Sequence, residues 1–294
     1  MPKRFGLIAD PARVTEIGRF YRAAGLLIQQ ELIKIDPENF KETKAQTVEN
    51  NINRIIKKMD RRAARWTGQA IPEAYKNGMT ISRNILNILG AKKDRMFDNK
   101  EHMRTVELDE EETIFFYLQA NASIRISTSQ YINVLRMANK NIMQIEAFGP
   151  GDFRDEEYIA GLLDETVKTG GSRQDLAALI RNKYKTDLLE AKFININGRN
   201  YEVGKYSKMV ARTRMRVVQS DAVKNMSSQY ENDLIEISDH GTESEICKEF
   251  EGNTYSISGA TPGYEVLAVW PPFHPNCEHF ASPTSEAAIA VAGR

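Results

Sequence analysis

Both cysteines of this chain and three of its four histidines fall in one short stretch: His240, Cys247, His274, Cys277 and His279. No other feature of the sequence constrains the fold as tightly. Thiolate sulfur and neutral imidazole nitrogen are the usual zinc ligands, arranged tetrahedrally about the ion. His274 and Cys277 are two residues apart on a loop stiffened by Pro271, Pro272 and Pro275, a spacing that lets both donors face one ion. Cys247 comes from an earlier loop and could close the site, with His240 or His279 as the fourth ligand. Gly241, Gly252, Gly259 and Gly263 supply the turns that such a loop fold needs. Two other readings of the same residues stay open. The thiols could simply be buried while the histidines bond loop carbonyls, since the spacing fits no standard zinc-finger pattern. A Cys–His nucleophile is the other, although it requires a lowered thiol pKa and a third orienting group that the sequence does not display.

The remaining composition narrows the class. Hydrophobic residues make up 41% and charged residues 27% of 294 residues, which is enough for a sizeable core in one large or two ordinary domains. Lys+Arg and Asp+Glu each number 40, a balance that argues against a general nucleic-acid coat while permitting local basic patches. No run approaches the roughly 20 apolar residues that span a bilayer, and Met1 to Gly6 lack a secretory apolar region. Synthesis in a cytoplasm is expected, with free or metal-bound cysteines and no membrane partner.

Periodicity predicts helices over 11–35, with Val14, Ile17, Tyr21, Ala24 and Ile28 on one face, and over 44–66, where Val48, Ile52, Ile55, Ile56 and Met59 form a stripe beside Lys57, Lys58, Arg61, Arg62 and Arg65. Pro72 is expected to end that helix and a further one to cover 73–90. The acidic run 107–112 suits a helix start. That helix would run from about 110 with a possible break at 123–129, and Ile132, Leu135, Ile142 and Ile145 continue the stripe. Gly149-Pro150-Gly151 is the best domain boundary. Helices are expected over 154–169 and 172–185. Phe193 to Val203 then read as a β-hairpin turning at Asn197-Gly198. A helix over 205–230, a strand at Leu234–Ile237, turn-rich chain and a small, apolar tail from Ser285 complete the pattern. The expected class is α+β: a mainly helical, elongated N-terminal region over 1–150, then a small α+β domain over 151–294 with a hairpin and a His/Cys-rich loop subdomain.

The run Asp239-His240-Gly241-Thr242, Cys247, Phe250-Glu251-Gly252, Tyr255-Ser256-Ile257-Ser258-Gly259 and Pro271-Pro272-Phe273-His274-Pro275-Asn276-Cys277-Glu278-His279 resembles the signature of the phage minor capsid protein 2 family, relatives of the phage Mu F-like and SPP1-type minor head proteins. Tyr206 to Thr213 resembles the Ala-Arg-Thr segment that precedes it. The likeness spans 204–280, and the helical region before it matches in character only. There are two departures. Many members have Cys-x-x-Cys where this chain has Ser244 and Cys247, and a Glu after Ala-Arg-Thr where this chain has Arg214. A serine hydroxyl is a poor zinc ligand, so one donor of the family pattern is replaced here.

The resemblance implies a minor structural protein of the phage head. It would act by binding the portal protein and other head proteins, in multiple copies within the virion, during head assembly or genome delivery, with Zn2+ as a structural ion rather than a catalytic one. Two other classes compete. A zinc hydrolase would keep an open coordination position for water and use Glu243, Glu245 or Glu249 as base, although no His-Glu-x-x-His run is present. A DNA-binding module acting in packaging or ejection would use Lys205, Lys208, Arg212 and Arg216, which share one helix face, as the contact to packaged DNA or an acidic partner. A solvated helix face explains that stripe equally well.

Overall fold

A computed structural model describes residues 10–36, 40–91, 114, 118–129, 132–133, 136, 178, 194–196 and 199–291. Helix α1 (Pro11–Leu32) starts on Pro11, with Asp10 accepting the Ala12 N–H at 2.8 Å, so a first-turn donor is satisfied. Its expected stripe is buried: Val14, Ile17, Tyr21, Ala24 and Ile28.

Helix α2 (Glu42–Ile88) is a single helix of 47 residues, and Pro72 lies inside it. The expected break does not occur. An interior proline costs about 3 kcal/mol through a lost N–H and a clash with the preceding turn. Ala70, Ile71, Ala74 and Tyr75, on either side of it, are all buried, and each large side chain so buried contributes roughly 1.5–3 kcal/mol. Packing of the flanking turns therefore outweighs the local penalty. The break considered at 123–129 is absent too, for residues 118–129 are continuously helical. There the Thr128 hydroxyl bonds the Arg125 carbonyl at 2.9 Å, and the polar side chain is satisfied without leaving the helix.

Strands β1 (Ile194–Ile196) and β2 (Arg199–Tyr201) pair antiparallel with Ile196 opposite Arg199, as expected of the hairpin, and the turn expected at Asn197-Gly198 lies outside the described residues. Helix α3 (Val203–Gln229) follows. Strand β3 (Leu234–Ile237) is the centre of a three-stranded antiparallel sheet, flanked by β4 (Thr254–Ser256) and β5 (Ala281–Pro283). Between β3 and β4 lies the one-turn helix α4 (Glu245–Lys248), and the tail expected to be small and apolar forms helix α5 (Glu286–Val291). The sheet packs on α3 through Val223, Ile235, Ile237, Tyr255, Leu267 and Ala281, with Phe250, Phe273 and Phe280 against them.

The fold is α+β. The chain divides into two compact units, one of Met1–Arg19, Arg62–Tyr117 and Lys205–Arg294, the other of Phe20–Arg61 and Leu118–Gly204. The sheet and all five His/Cys candidates belong to the first, and the hairpin to the second. The boundary expected at 149–151, the acidic run 107–112 and the helices expected over 154–169 and 172–185, residue 178 excepted, lie outside the described residues.

At the N-terminal end of β3, Asp233 organises the loop after β4. Its carboxylate accepts from the Ser256, Ser258 and Thr261 hydroxyls at 2.5–2.7 Å and from the Ser258 and Thr261 N–H groups at 2.8 and 3.0 Å. Burial works to raise the Asp233 pKa, but these donors outweigh it and hold the group well below the usual carboxylate range.

Within the first unit, α2 and α3 approach closely at Gly78. A Cβ there would stand 2.8 Å from the Ala222 Cβ and 3.2 Å from the Gln219 backbone, whereas one on Gly68 would meet nothing within 4 Å. Gly78→Ala is therefore expected to lower stability by about 1–3 kcal/mol through overpacking, despite a helix-propensity gain of about 1 kcal/mol. Gly68→Ala should raise stability by up to that gain. Urea unfolding of the two variants checks the sign at each position.

Candidate metal centre

The register of the sheet brings three distant stretches to one place. Ile237 at the end of β3 pairs with Ala281, so the residues after it run beside those before β5: the Ser238 N–H donates to the Phe280 carbonyl at 3.0 Å. On the other edge, the Gly252 N–H donates to the Ile237 carbonyl at 3.2 Å. Residues 238–242, 250–253 and 277–280 therefore meet at the C-terminal end of β3. α4 adds Cys247 to this junction, and Cys277 and His279 arrive on the segment leading into β5.

Cys247 Sγ and Cys277 Sγ lie 3.9 Å apart, and Cys277 Sγ lies 3.5 Å from His279 Nδ1. These three donor atoms all fall within 4.8 Å of one another, and the group could hold a metal ion. Both cysteines are free thiols. Zinc bonds of about 2.3 Å to sulfur and 2.0–2.1 Å to nitrogen at tetrahedral angles give edges of about 3.8 Å between sulfurs and about 3.5 Å between sulfur and nitrogen. The two measured edges match that shape. The three residues are 1%, 2% and 3% exposed.

Glu251 stands behind the histidine. Its Oε1 lies 3.0 Å from His279 Nε2 and also accepts the His240 N–H, while Oε2 accepts the Thr242 N–H at 2.9 Å. Burial works to raise the Glu251 pKa, but the His240, Thr242 and His279 donors outweigh it, and the carboxyl is pulled down to about 2. An ionised carboxylate can only accept, so the proton of neutral His279 sits on Nε2. The Nδ1 lone pair is left facing Cys277. This is the carboxylate–histidine arrangement that orients imidazole ligands and raises their basicity. Burial pushes the Cys247 thiol pKa up, so an ion entering the cluster must displace a proton there.

The other two histidines of the cluster stand apart from this trio. His274 Nε2 is 3.3 Å from the Ser244 hydroxyl and its Nδ1 is 2.8 Å from the Pro275 carbonyl. His240 is exposed, with Nε2 2.8 Å from the Ser238 hydroxyl and its ring edge-on to His279 at 5.0 Å between centroids. The basic stripe of α3 splits as well. Arg216 donates to the Cys277 carbonyl and Arg212 to Asn276 Oδ1 at 3.4 Å, so both grip the loop that carries the cysteine. Burial lowers the Arg216 pKa. The Lys208 stem lies over Gly18 of α1, and Lys205 is exposed.

The acids considered as bases for a hydrolase are exposed, with Glu245 paired to Lys248 at 2.9 Å. The carboxylate that touches the cluster is Glu251, which neither spacing nor composition singles out. Cys277, His279 and Glu251 also have the connectivity of a thiol, a base and its orienting acid, but the thiol and imidazole are almost fully buried. No family model, curated protein or solved structure matches the chain. Among the described residues, no helix is long and apolar enough to cross a membrane.

Replacing Glu251 with Gln keeps the shape but removes the charge and the fixed tautomer. Zinc affinity of that variant is expected to fall about 10- to 100-fold, as read by competition with a chromophoric chelator. Unchanged affinity would remove Glu251 from the site.

Proposed function

We propose that this chain is a minor structural protein of a bacteriophage head, acting by binding, and that its C-terminal loops are braced by one structural Zn2+. The observation that carries the reading is the buried trio Cys247, Cys277 and His279 backed by Glu251. All four lie within the residues that resemble the minor capsid protein 2 signature. Cys247, Cys277 and His279 would hold the ion. Bound there, zinc supplies cross-linking free energy where the apolar core is thin, because metal-binding energy becomes folding energy. Glu251 orients His279, Arg216 and Arg212 hold the Cys277 loop to α3, and the sheet carries both edges of the site. The helical part of the chain would make the contacts to the portal protein and to other head proteins in the virion.

The competing classes find less support. A zinc hydrolase requires substrate to reach the ion, yet the three candidate ligands are buried and Glu251 is committed to holding His279 and two backbone N–H groups. A DNA-binding stripe on α3 would rely on Arg212 and Arg216, which face the Cys277 loop.

The reading is tested by co-expressing the chain with the portal protein of the same genome and purifying through a tag on either partner. A complex that survives gel filtration at moderate salt is expected. If neither the portal nor any other head component of that genome is retained, the proposed function is wrong.

A further inference from the structure

The Cys247 and Cys277 sulfurs touch at 3.9 Å, 30 positions apart in the chain, and both residues are free thiols. We propose that the pair is a thiol–disulfide switch: in the metal-free chain a small disulfide oxidant joins the two sulfurs, and the covalent bond and a metal ion exclude each other. The exclusion rests on the zinc reading above. The bond itself rests only on where the fold puts the two sulfurs.

A disulfide has its sulfurs about 2.05 Å apart, so the pair must close by about 1.9 Å. The elements that carry the sulfurs are short. Cys247 sits in the one-turn helix α4, and Cys277 in the segment that leads into β5. Each is tied locally: the Cys247 N–H donates to the Ser244 carbonyl and the Cys277 N–H to the His274 carbonyl, both at 3.0 Å. These two small pieces can approach while β3 keeps its register with β4 and β5. Access follows from the same layout. Cys247 is buried between exposed Ile246 and Lys248, and Cys277 between exposed Asn276 and Glu278. Local opening of either segment, without unfolding of the sheet, therefore presents a sulfur to an oxidant.

The chemistry is a two-electron exchange with a low-molecular-weight disulfide such as oxidised glutathione. The sulfur reached first attacks it as a thiolate, forms a mixed disulfide and releases one reduced glutathione. The second cysteine sulfur then attacks the mixed disulfide, forms the Cys247–Cys277 bond and releases the other glutathione. Both cysteines are oxidised, one glutathione disulfide is reduced, and the two thiol protons end on the two leaving thiols. Zinc binds the same sulfurs as thiolates, and a disulfide sulfur has no such charge to offer. The bond would close the chain around β4 and the loop held by Asp233, so it braces the same region that an ion would. A reducing cytoplasm keeps the pair open, and an oxidising exterior closes it.

The test uses the full-length chain, stripped of metal and equilibrated in glutathione buffers of graded oxidised-to-reduced ratio, once in native buffer and once in urea. Remaining thiols are alkylated and counted by intact mass, and the linkage is mapped in a digest. The Cys247–Cys277 bond is expected to form with an equilibrium constant about tenfold or more larger in native buffer than in urea, because the fold holds the sulfurs together. Equal constants in the two conditions, or glutathione on each cysteine in place of the internal bond, overturn the inference. Zn2+ added before the oxidant is expected to preserve both thiols, and the oxidised chain to take up zinc only after reduction. An oxidised chain that binds zinc as the reduced one does overturns the exclusion. A bond that forms as expected in a chain that takes up no zinc when reduced leaves the bond standing and overturns the zinc reading. Zinc uptake without the bond does the reverse.

Discussion

Cys247 and Cys277 are separated by 30 positions in the chain, yet their sulfurs meet at 3.9 Å in the interior. The arrangement of the whole C-terminal region follows from bringing those two atoms together. Antiparallel pairing on both edges of β3 makes it possible, since the chain leaving β3 runs beside both the chain entering β4 and the chain entering β5. Strands of three or four residues supply few ladder hydrogen bonds, so the junction they create needs further bracing.

Two kinds of bracing occupy the two ends of β3. At its start, Asp233 gathers hydroxyls and N–H groups from the loop after β4, a purely hydrogen-bonded solution. At its end, the buried Cys247 and Cys277 sulfurs and the His279 imidazole converge, with the Glu251 carboxylate behind the histidine. The second group could hold a metal ion, and the same atoms around an ion would bind far more strongly than two neutral thiols packed beside an oriented imidazole. Arg216 extends the arrangement outwards by fixing the Cys277 carbonyl to α3, so that displacement of the loop would disturb the helix as well.

Much of this was legible in the sequence wherever a long periodic signal existed. The stripe of α1, the body of α3, the Asn-Gly hairpin and β3 all announce themselves through spacing or turn chemistry. Pro72 misled because local rules weigh the missing N–H, while burial of Ala70, Ile71, Ala74 and Tyr75 is set by tertiary contacts. β4 and β5 were invisible because Thr-Tyr-Ser and Ala-Ser-Pro are too short to alternate, and their pairing is decided by β3. Clustering identified the five candidate ligands, but it could not rank them: only the fold shows that Cys247, Cys277 and His279 converge while His240 sits beside Ser238. Ser244 stood out only as a departure from the family pattern and Glu251 only as one residue of the signature, since the contacts each makes depend on neighbours far along the chain. The basic stripe of α3 looked uniform in sequence, whereas the fold turns Arg212 and Arg216 towards the Cys277 loop.

The account stands on the cluster's being a structural metal site that holds the C-terminal loops together. The most direct measurement is zinc content by elemental analysis of the purified chain, combined with thermal unfolding before and after removal of metal by a chelator. The account requires one zinc per chain and a cooperative loss of stability on chelation, reversed by added Zn2+. A chain that carries no metal, and whose melting is indifferent to both chelator and zinc, would contradict it.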